Sequence, residues 1–485
     1  MLQPIKALSL QTLIYGTGHI LVRSVSFMLL PLYTNVFSTY DYGVISLAYA
    51  FMGFMGVVLK YGLDAALMKW YVQTGGEDRA RYLTTAYYSF VITTAVFIAL
   101  LLAFRQPLAA VLLGGDHPRF IAYISGILFF DVLWYVPLLL LRSEERPLVY
   151  TGFSLLNVAG SLGLNLLLVL KYRMGIQGVL MSNLITSGSL FVLTFPIIWK
   201  RLELRRASLI TWRQLMRFGL PFLPSGIFAM TMELANRYIL KIMTDVETVG
   251  IYSAGHKLGM LMFLIAMGFN MSWHPFFLKQ EDTDETRRLF ARIATYLLAV
   301  LGFIWVLMCL WVPHLVRLDL GPVTFYGPDF WQGTEIVPWI ALGYLFHAAY
   351  LLQLPGVFQL ESSLWVAITR GIGALSNVVL NVALIPLYGA LGAALATCLS
   401  FLIMALAFLG INQRIYPVPY EWSRLLRVFL LMAGIYGLWE ITEGAVLRDV
   451  LLMVSYPIVL VLTGFLNVRE RAVIARIFRV SRAGD

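Results

Sequence analysis

Charged side chains inside apolar sequence are the first candidates for chemistry in this chain. Five cations, Arg23, Lys60, Arg237, Lys257 and Arg370, and four acids, Asp64, Asp131, Glu233 and Glu440, fall within long apolar runs. A charge at the centre of a bilayer costs about 2.5–3.5 kcal/mol on insertion scales, so each needs a partner or a task. Lys60 with Asp64, and Glu233 with Arg237, are spaced i,i+4 and can pair along a helix. Glu440 lies at the end of its run. Arg23, Asp131, Lys257 and Arg370 have no such partner. Two readings stay open for them. Arg23 or Lys257 pairs with Asp131 across helices and fixes packing, or the cations face a cavity, with Asp131 as a coupling or structural partner. An arginine fork donates two parallel hydrogen bonds to a phosphate, and an excess of cations over acids favours an anionic cargo. The binding candidates are therefore Arg23 and Lys257, with His19 one turn before Arg23, followed by Arg370, Arg237 and Lys60.

His256 adjoins Lys257 and reads as a hydrogen-bonded structural histidine. His117, His274, His314 and His347 lack metal-ligand spacing. No phosphate-binding loop, nucleophile elbow or zinc-protease helix occurs. The expectation is a protein with no metal, no cofactor and no enzymatic activity.

The elements that must position these side chains follow from composition. The 485 residues are 60% hydrophobic and 13% charged, with a mean hydropathy of +0.79, too little polar surface for globules in water. Cys309 and Cys398 sit in apolar runs and read as buried, unpaired thiols. Apolar runs of about 20 residues, the length of a spanning helix, predict fourteen spans. They lie at 12–35, 43–67, 84–104, 119–141, 148–170, 176–199, 217–240, 248–277, 293–316, 336–358, 364–386, 389–411, 425–441 and 449–467. The fold class is an all-α polytopic membrane protein, and the first run reads as a retained span, with no small-residue cleavage site. With the N-terminus inside, 24 of the 36 Lys and Arg residues face the cytoplasm and 7 the opposite side. That bias predicts cytoplasmic termini. The net charge of +10 then reflects topology and contact with anionic lipid headgroups, not nucleic acid.

Two stretches echo each other. Asn165 to Tyr172, followed by Gly175-x-x-Gly178, resembles Asn381 to Tyr388, followed by Gly389-x-x-Gly392. Tyr42-Gly43-Val-Ile-Ser likewise lines up with Val249-Gly250-Ile-Tyr-Ser. The echo predicts two pseudo-symmetric six-helix lobes around a cavity, a common transporter plan. Residues 1–199 would form the first lobe, 200–216 a basic cytoplasmic linker, and 217–411 the second lobe. Residues 412–485 would hold two further helices, packed against one lobe or bordering a groove, and a basic tail.

The segments PLYTNVFSTYDYGV (31–44), LRSEERP (141–147), LPFLPSG (220–226) and VGIYSAGHKLG (249–259) resemble the polysaccharide-transporter branch of the multidrug/oligosaccharidyl-lipid/polysaccharide (MOP) flippase superfamily. The resemblance covers most of the chain. It implies two six-helix lobes with two C-terminal helices, alternating access, and a location in the bacterial inner membrane. It also implies an undecaprenyl-pyrophosphate-linked glycan as cargo, such as an O-antigen, capsule or exopolysaccharide repeat unit. Glycosyltransferases and a glycan polymerase would be its partners. Cavity cations in such flippases meet the pyrophosphate, the role expected here of Arg23 and Lys257. Many relatives carry Asp-Arg late in the seventh span where this chain has Asn236-Arg237, so the acid for ion coupling is missing there. The alternatives are a drug or organic-cation antiporter of the same fold, and a membrane-embedded glycan polymerase or scaffold. Cation export would want unpaired cavity acids, and a polymerase a large external loop.

Overall fold

A computed structural model describes residues 27, 29–319, 321, 323–359, 364–442 and 446–466. A helical stretch over 29–36 leads into α1 (Thr39–Val58), followed by α2 (Leu63–Gln73), α3 (Gly76–Ala103), α4 (Arg105–Leu113), α5 (Pro118–Ser143), α6 (Pro147–Asn165) and α7 (Gly175–Trp199). Then come α8 (Leu209–Gly219), α9 (Leu223–Met243), α10 (Val246–Gly259), α11 (Leu261–Phe277), α12 (Asp284–Val316), α13 (Val337–Leu351), α14 (Leu354–Gln359), α15 (Leu364–Ile415), α16 (Trp422–Ile441) and α17 (Val446–Leu462). Among the described residues there is no strand. Nine helical stretches there are long and apolar enough to cross a membrane, or ten with α10 and α11 taken as one span bent by 40°.

That number compares with fourteen expected spans for particular reasons. Most of the run at 12–35 lies outside the described residues. The spans at 364–386 and 389–411 form the single 52-residue α15, broken at Gly389 (φ 56°, ψ −127°). The run at 43–67 divides into α1 and α2 at Leu59–Gly62, where Tyr61 and Gly62 both have positive φ. α16, although 20 residues long, is not among the nine, and α17 is only 17 residues long.

The echoing segments are built alike. α1 and α10 start at matching positions, and each is capped by a side chain, Ser38 accepting from the Asp41 amide and Asp245 from the Thr248 amide. Asn165 and Asn381 each donate to the carbonyl four residues earlier, both at 2.8 Å. Gly175 and Gly389 share a left-handed φ near 57° that a side chain would resist.

α5 packs on α3 and α7, and α6 on α7, whereas α15 packs on α9 and α13, and α12 on α13. The helices before residue 200 meet those after it chiefly where α1 crosses α9 and α10, and where α2 meets α8. The α1–α10 crossing is reciprocal. A Cβ on Gly43 would lie 2.1 Å from the Val246 carbonyl oxygen, and one on Gly250 would lie 1.9 Å from that of Thr39. Small residues let these backbones touch.

Residues 200–219 fold back onto α3. The Glu203 and Ser208 amides donate to Thr84 and Thr85, and Trp212 Nε1 donates to Ser89. Arg206 bridges Glu203 and Glu77 and holds the Glu77 carboxyl below its usual range.

The C-terminal helices pack on α12. Tyr456 donates to the Ala299 carbonyl at 2.8 Å, and buried Asp449 bonds both His314 (2.6 Å) and Arg448 (2.8 Å). Trp439 lies under Arg448, against Tyr436. Neither Trp439 nor Tyr456 lines the polar cavity described next.

Candidate functional site

The α1–α10 crossing sets the geometry of a polar cavity of about 370 Å³. Helical periodicity puts Ser46 and Ala50 on one face of α1, and Ser253 and Lys257 on one face of α10. All four line the cavity; Ser46 and Ser253 are the last residues of the two echoing segments, and Ala50 and Lys257 lie in the same register four residues further on. Tyr33 and Tyr42 bracket Lys257, whose Nζ lies 5.8 and 5.5 Å from their ring centroids. The rings stabilise the ammonium by cation–π attraction without neutralising it. Tyr33 is itself held by a 2.7 Å hydrogen bond to Asn165.

Arg237 supplies a second cation to the same space. It is buried, donates through Nη1 to the Glu233 carbonyl at 2.7 Å, and approaches His256 Nδ1 at 3.5 Å through Nη2. Ser253 Oγ and the Tyr42 hydroxyl are buried beside these cations and have no hydrogen-bond partner among the described residues. Across the cavity stand Tyr49, Asn157, Ser161 and Asn183 from α1, α6 and α7. Among the described lining residues there are two cations and no carboxylate. Arg237 is buried and Lys257 partly so, and a buried charge that lacks a counter-ion is costly, so an anion in the cavity would be favoured.

Of the sequence candidates, the structure brings Lys257 and Arg237 together. Arg23 and His19 lie outside the described residues. Lys60 and Arg370 sit elsewhere. Lys60 Nζ lies 3.9 Å from the Tyr135 ring centroid, and Arg370 donates to Ser225 on α9 at 3.3 Å.

Three expected pairings are absent among the described residues. Lys60 and Asp64 do not pair, because the break at Leu59–Gly62 removes the common helix that i,i+4 spacing assumes. Tyr135 stands between them and donates to Asp64 at 3.2 Å. Arg237 bonds the backbone of Glu233, not its carboxylate, because its guanidinium reaches toward His256 on α10. Asp131 does not meet Lys257. It faces α7 and accepts from Ser187 at 2.6 Å and Trp134 at 2.9 Å. His256 takes the expected structural place, buried between Arg237 and Tyr344.

Asp131→Leu is expected to lower stability by about 1–3 kcal/mol, because two donors lose their acceptor. Asp131→Asn keeps an oxygen for both and should cost much less. Thermal midpoints in detergent check this, and equal losses would make the charge the important feature.

Sequence reasoning did not single out Tyr42, Tyr49, Asn157, Asn183 or Ser253 as site residues. Tyr42 and Ser253 do fall within the echoing segments, which was the available signal. A second cavity, of about 470 Å³ and largely apolar, opens between α12, α13, α15 and α16, lined by Leu298, Phe346, Leu406, Leu426 and Phe429.

Over residues 10–281 the chain matches the family described as "Polysaccharide biosynthesis protein". No curated protein matches it. Its structure is similar to a lipid II flippase, MurJ, in an inward closed conformation, at 15% identity and a TM-score of 0.74, with 92% of this chain and 98% of that chain covered. It is also similar to an inward-facing MATE family multidrug resistance transporter of the MOP superfamily, at 12% identity and a TM-score of 0.64, covering 84% of this chain and 96% of that one. A mutant of the Vibrio cholerae MATE transporter VcmN is similar at 13% identity and a TM-score of 0.54, with 84% and 96% covered. At these identities the likeness is one of fold.

Proposed function

The chain belongs to the polysaccharide biosynthesis protein family, within the MOP flippases, and from that premise we propose that it carries a polyprenyl-pyrophosphate-linked oligosaccharide across the bacterial inner membrane by alternating access. The observation that carries the reading is the cavity holding Arg237 and Lys257 with no carboxylate among its described lining residues. A pyrophosphate would take charge-assisted hydrogen bonds from both cations and neutral ones from Ser253 and Tyr42. The same absence of acids disfavours organic cations, the cargo of the antiporter reading. The apolar cavity beside α16 suits a prenyl chain, which would keep its tail in hydrocarbon while the polar head crosses. O-antigen, capsule and exopolysaccharide repeat units are all of this cargo class, and the glycosyltransferases and polymerase that make and extend them would be the partners.

In this reading residues 1–199 and 217–411 are the moving lobes, 200–216 links them, and 412–485 ride on the second. With both termini cytoplasmic, the Gly43–Gly250 crossing is the outer closure. A second close approach, between Gly62 and Gly219, lies toward the inner side. The two contacts would open in alternation.

Two measurements test this. Native mass spectrometry of protein extracted from its own membranes should find a bound polyprenyl-pyrophosphate saccharide, and an organic cation in its place would favour the antiporter. For orientation, a cysteine at exposed Asp329 should react with an impermeant thiol reagent in intact cells, and one at Arg206 should not. The opposite pattern would invert the topology.

A further inference from the structure

The cavity is chemically two-sided. Its described cations, Arg237 and Lys257, both come from α9 and α10, whereas α1, α6 and α7 contribute neutral amides and hydroxyls. We propose that this second wall, built from Asn157, Ser161, Asn183 and Tyr49, is a saccharide subsite that reads the sugar bonded directly to the pyrophosphate; the inference rests on the lipid-linked cargo proposed above.

Asn157 and Ser161 are one helical turn apart on α6, so their side chains share a face at about 5–6 Å, comparable with the width of a pyranose ring. The Asn157 amide has no hydrogen-bond partner among the described residues and offers both donors and an acceptor to the cavity. Asn183 is set differently. Its nitrogen is committed to the Tyr49 hydroxyl at 2.7 Å and the Val179 carbonyl at 2.8 Å, and its oxygen accepts from Ser161 Oγ at 3.4 Å. The Asn157 amide is thus the free group of the wall, and Asn183 is fixed by its neighbours and holds Ser161 and Tyr49 in place beside it. Paired donors and acceptors at ring spacing suit vicinal hydroxyls or an acetamido group. Tyr49 adds an aromatic face against which a sugar ring can pack.

The wall also excludes. With no cation or acid of its own among the described residues, it offers no counter-charge to a uronic acid or a free amine. The sugar it takes is a neutral hexose or N-acetylhexosamine. Sites that hydrogen-bond a hydroxyl reject ligands lacking it, because their own polar groups are then left unpaired. The pyrophosphate would therefore face α9 and α10 while the first sugar faces α6 and α7, which fixes the cargo's orientation.

The test uses the full chain in nanodiscs and three probes: undecaprenyl pyrophosphate, and the same lipid bearing one neutral hexose or one N-acetylhexosamine. Wild type should bind at least one sugar-bearing probe about tenfold more tightly than the bare lipid, the effect of roughly one or two neutral hydrogen bonds. Asn157→Leu should bring that ratio close to one. Ser161→Ala should reduce it and serves if the leucine variant fails to fold. Lys257→Gln should weaken all three probes by a similar factor and leave the ratio unchanged. Equal binding of bare and sugar-bearing lipid by wild type overturns the subsite and leaves the pyrophosphate reading standing. Binding of none of the three overturns both.

Discussion

Lys257→Gln is expected to cut affinity for the anionic cargo about ten- to a hundredfold, with surface glycan falling accordingly, while the protein itself stays as stable or gains stability. Loss of a hydrogen bond to a charged group removes about 1.5–3 kcal/mol, which is the origin of that range. The stability half of the expectation follows from the partners of Lys257. Two aromatic rings surround its ammonium, and among the described residues it forms no ion pair. Removing it strands no carboxylate and relieves a desolvation cost. A packing lysine would behave oppositely, since breaking a buried pair costs about 3–5 kcal/mol. Arg237→Lys offers a graded comparison. It keeps a charge but cannot both reach the Glu233 carbonyl and present a fork to phosphate. Measuring thermal midpoint and surface glycan together for both variants separates binding from structure.

Gly250→Leu is expected to open the closed crossing of α1 and α10 and stop export. A Cβ there would lie 1.9 Å from the Thr39 carbonyl oxygen and 3.1 Å from the Gly43 nitrogen, both backbone atoms. No rotamer change relieves such a contact, so the helices must part. Overpacking of this kind costs about 1–3 kcal/mol, enough to shift a two-state equilibrium by about 5- to 150-fold. Gly43→Leu should act alike, because the contact is reciprocal. A cysteine at the cavity position Ser46 should then react faster with an impermeant reagent added from outside. Unchanged reactivity with normal export would show that the crossing is no gate.

The sequence carried some of this and hid the rest for physical reasons. Lys257 was legible because a lone lysine in an apolar run has a desolvation cost that packing alone does not explain. The Gly43 and Gly250 segments were legible because the same backbone contact needs the same small residue twice. Arg237 reads from the sequence as half of a pair with Glu233 and as one of the lesser binding candidates. Spacing along one helix reveals nothing of a neighbouring helix, and His256 on α10 draws the guanidinium away. The Lys60–Asp64 pair failed at a helix break that apolar sequence conceals. Asn157 and Asn183 gave no signal at all, since a neutral amide in an apolar run serves packing and ligand equally well. Arg23 and His19, the other half of the expected cation set, lie outside the described residues, and their proposed contact with pyrophosphate rests on the sequence.

In the proposed function the cationic cavity carries a pyrophosphate-linked saccharide between leaflets. Proteoliposomes loaded on one leaflet with lipid-linked glycan extracted from the source cells test it most directly, with sugar reaching the other leaflet read by lectin binding. Wild-type protein should expose the sugar well above protein-free vesicles, and Lys257→Gln protein, equally folded, should not. Exposure at the protein-free rate by wild type, or at the wild-type rate by Lys257→Gln, would contradict the claim.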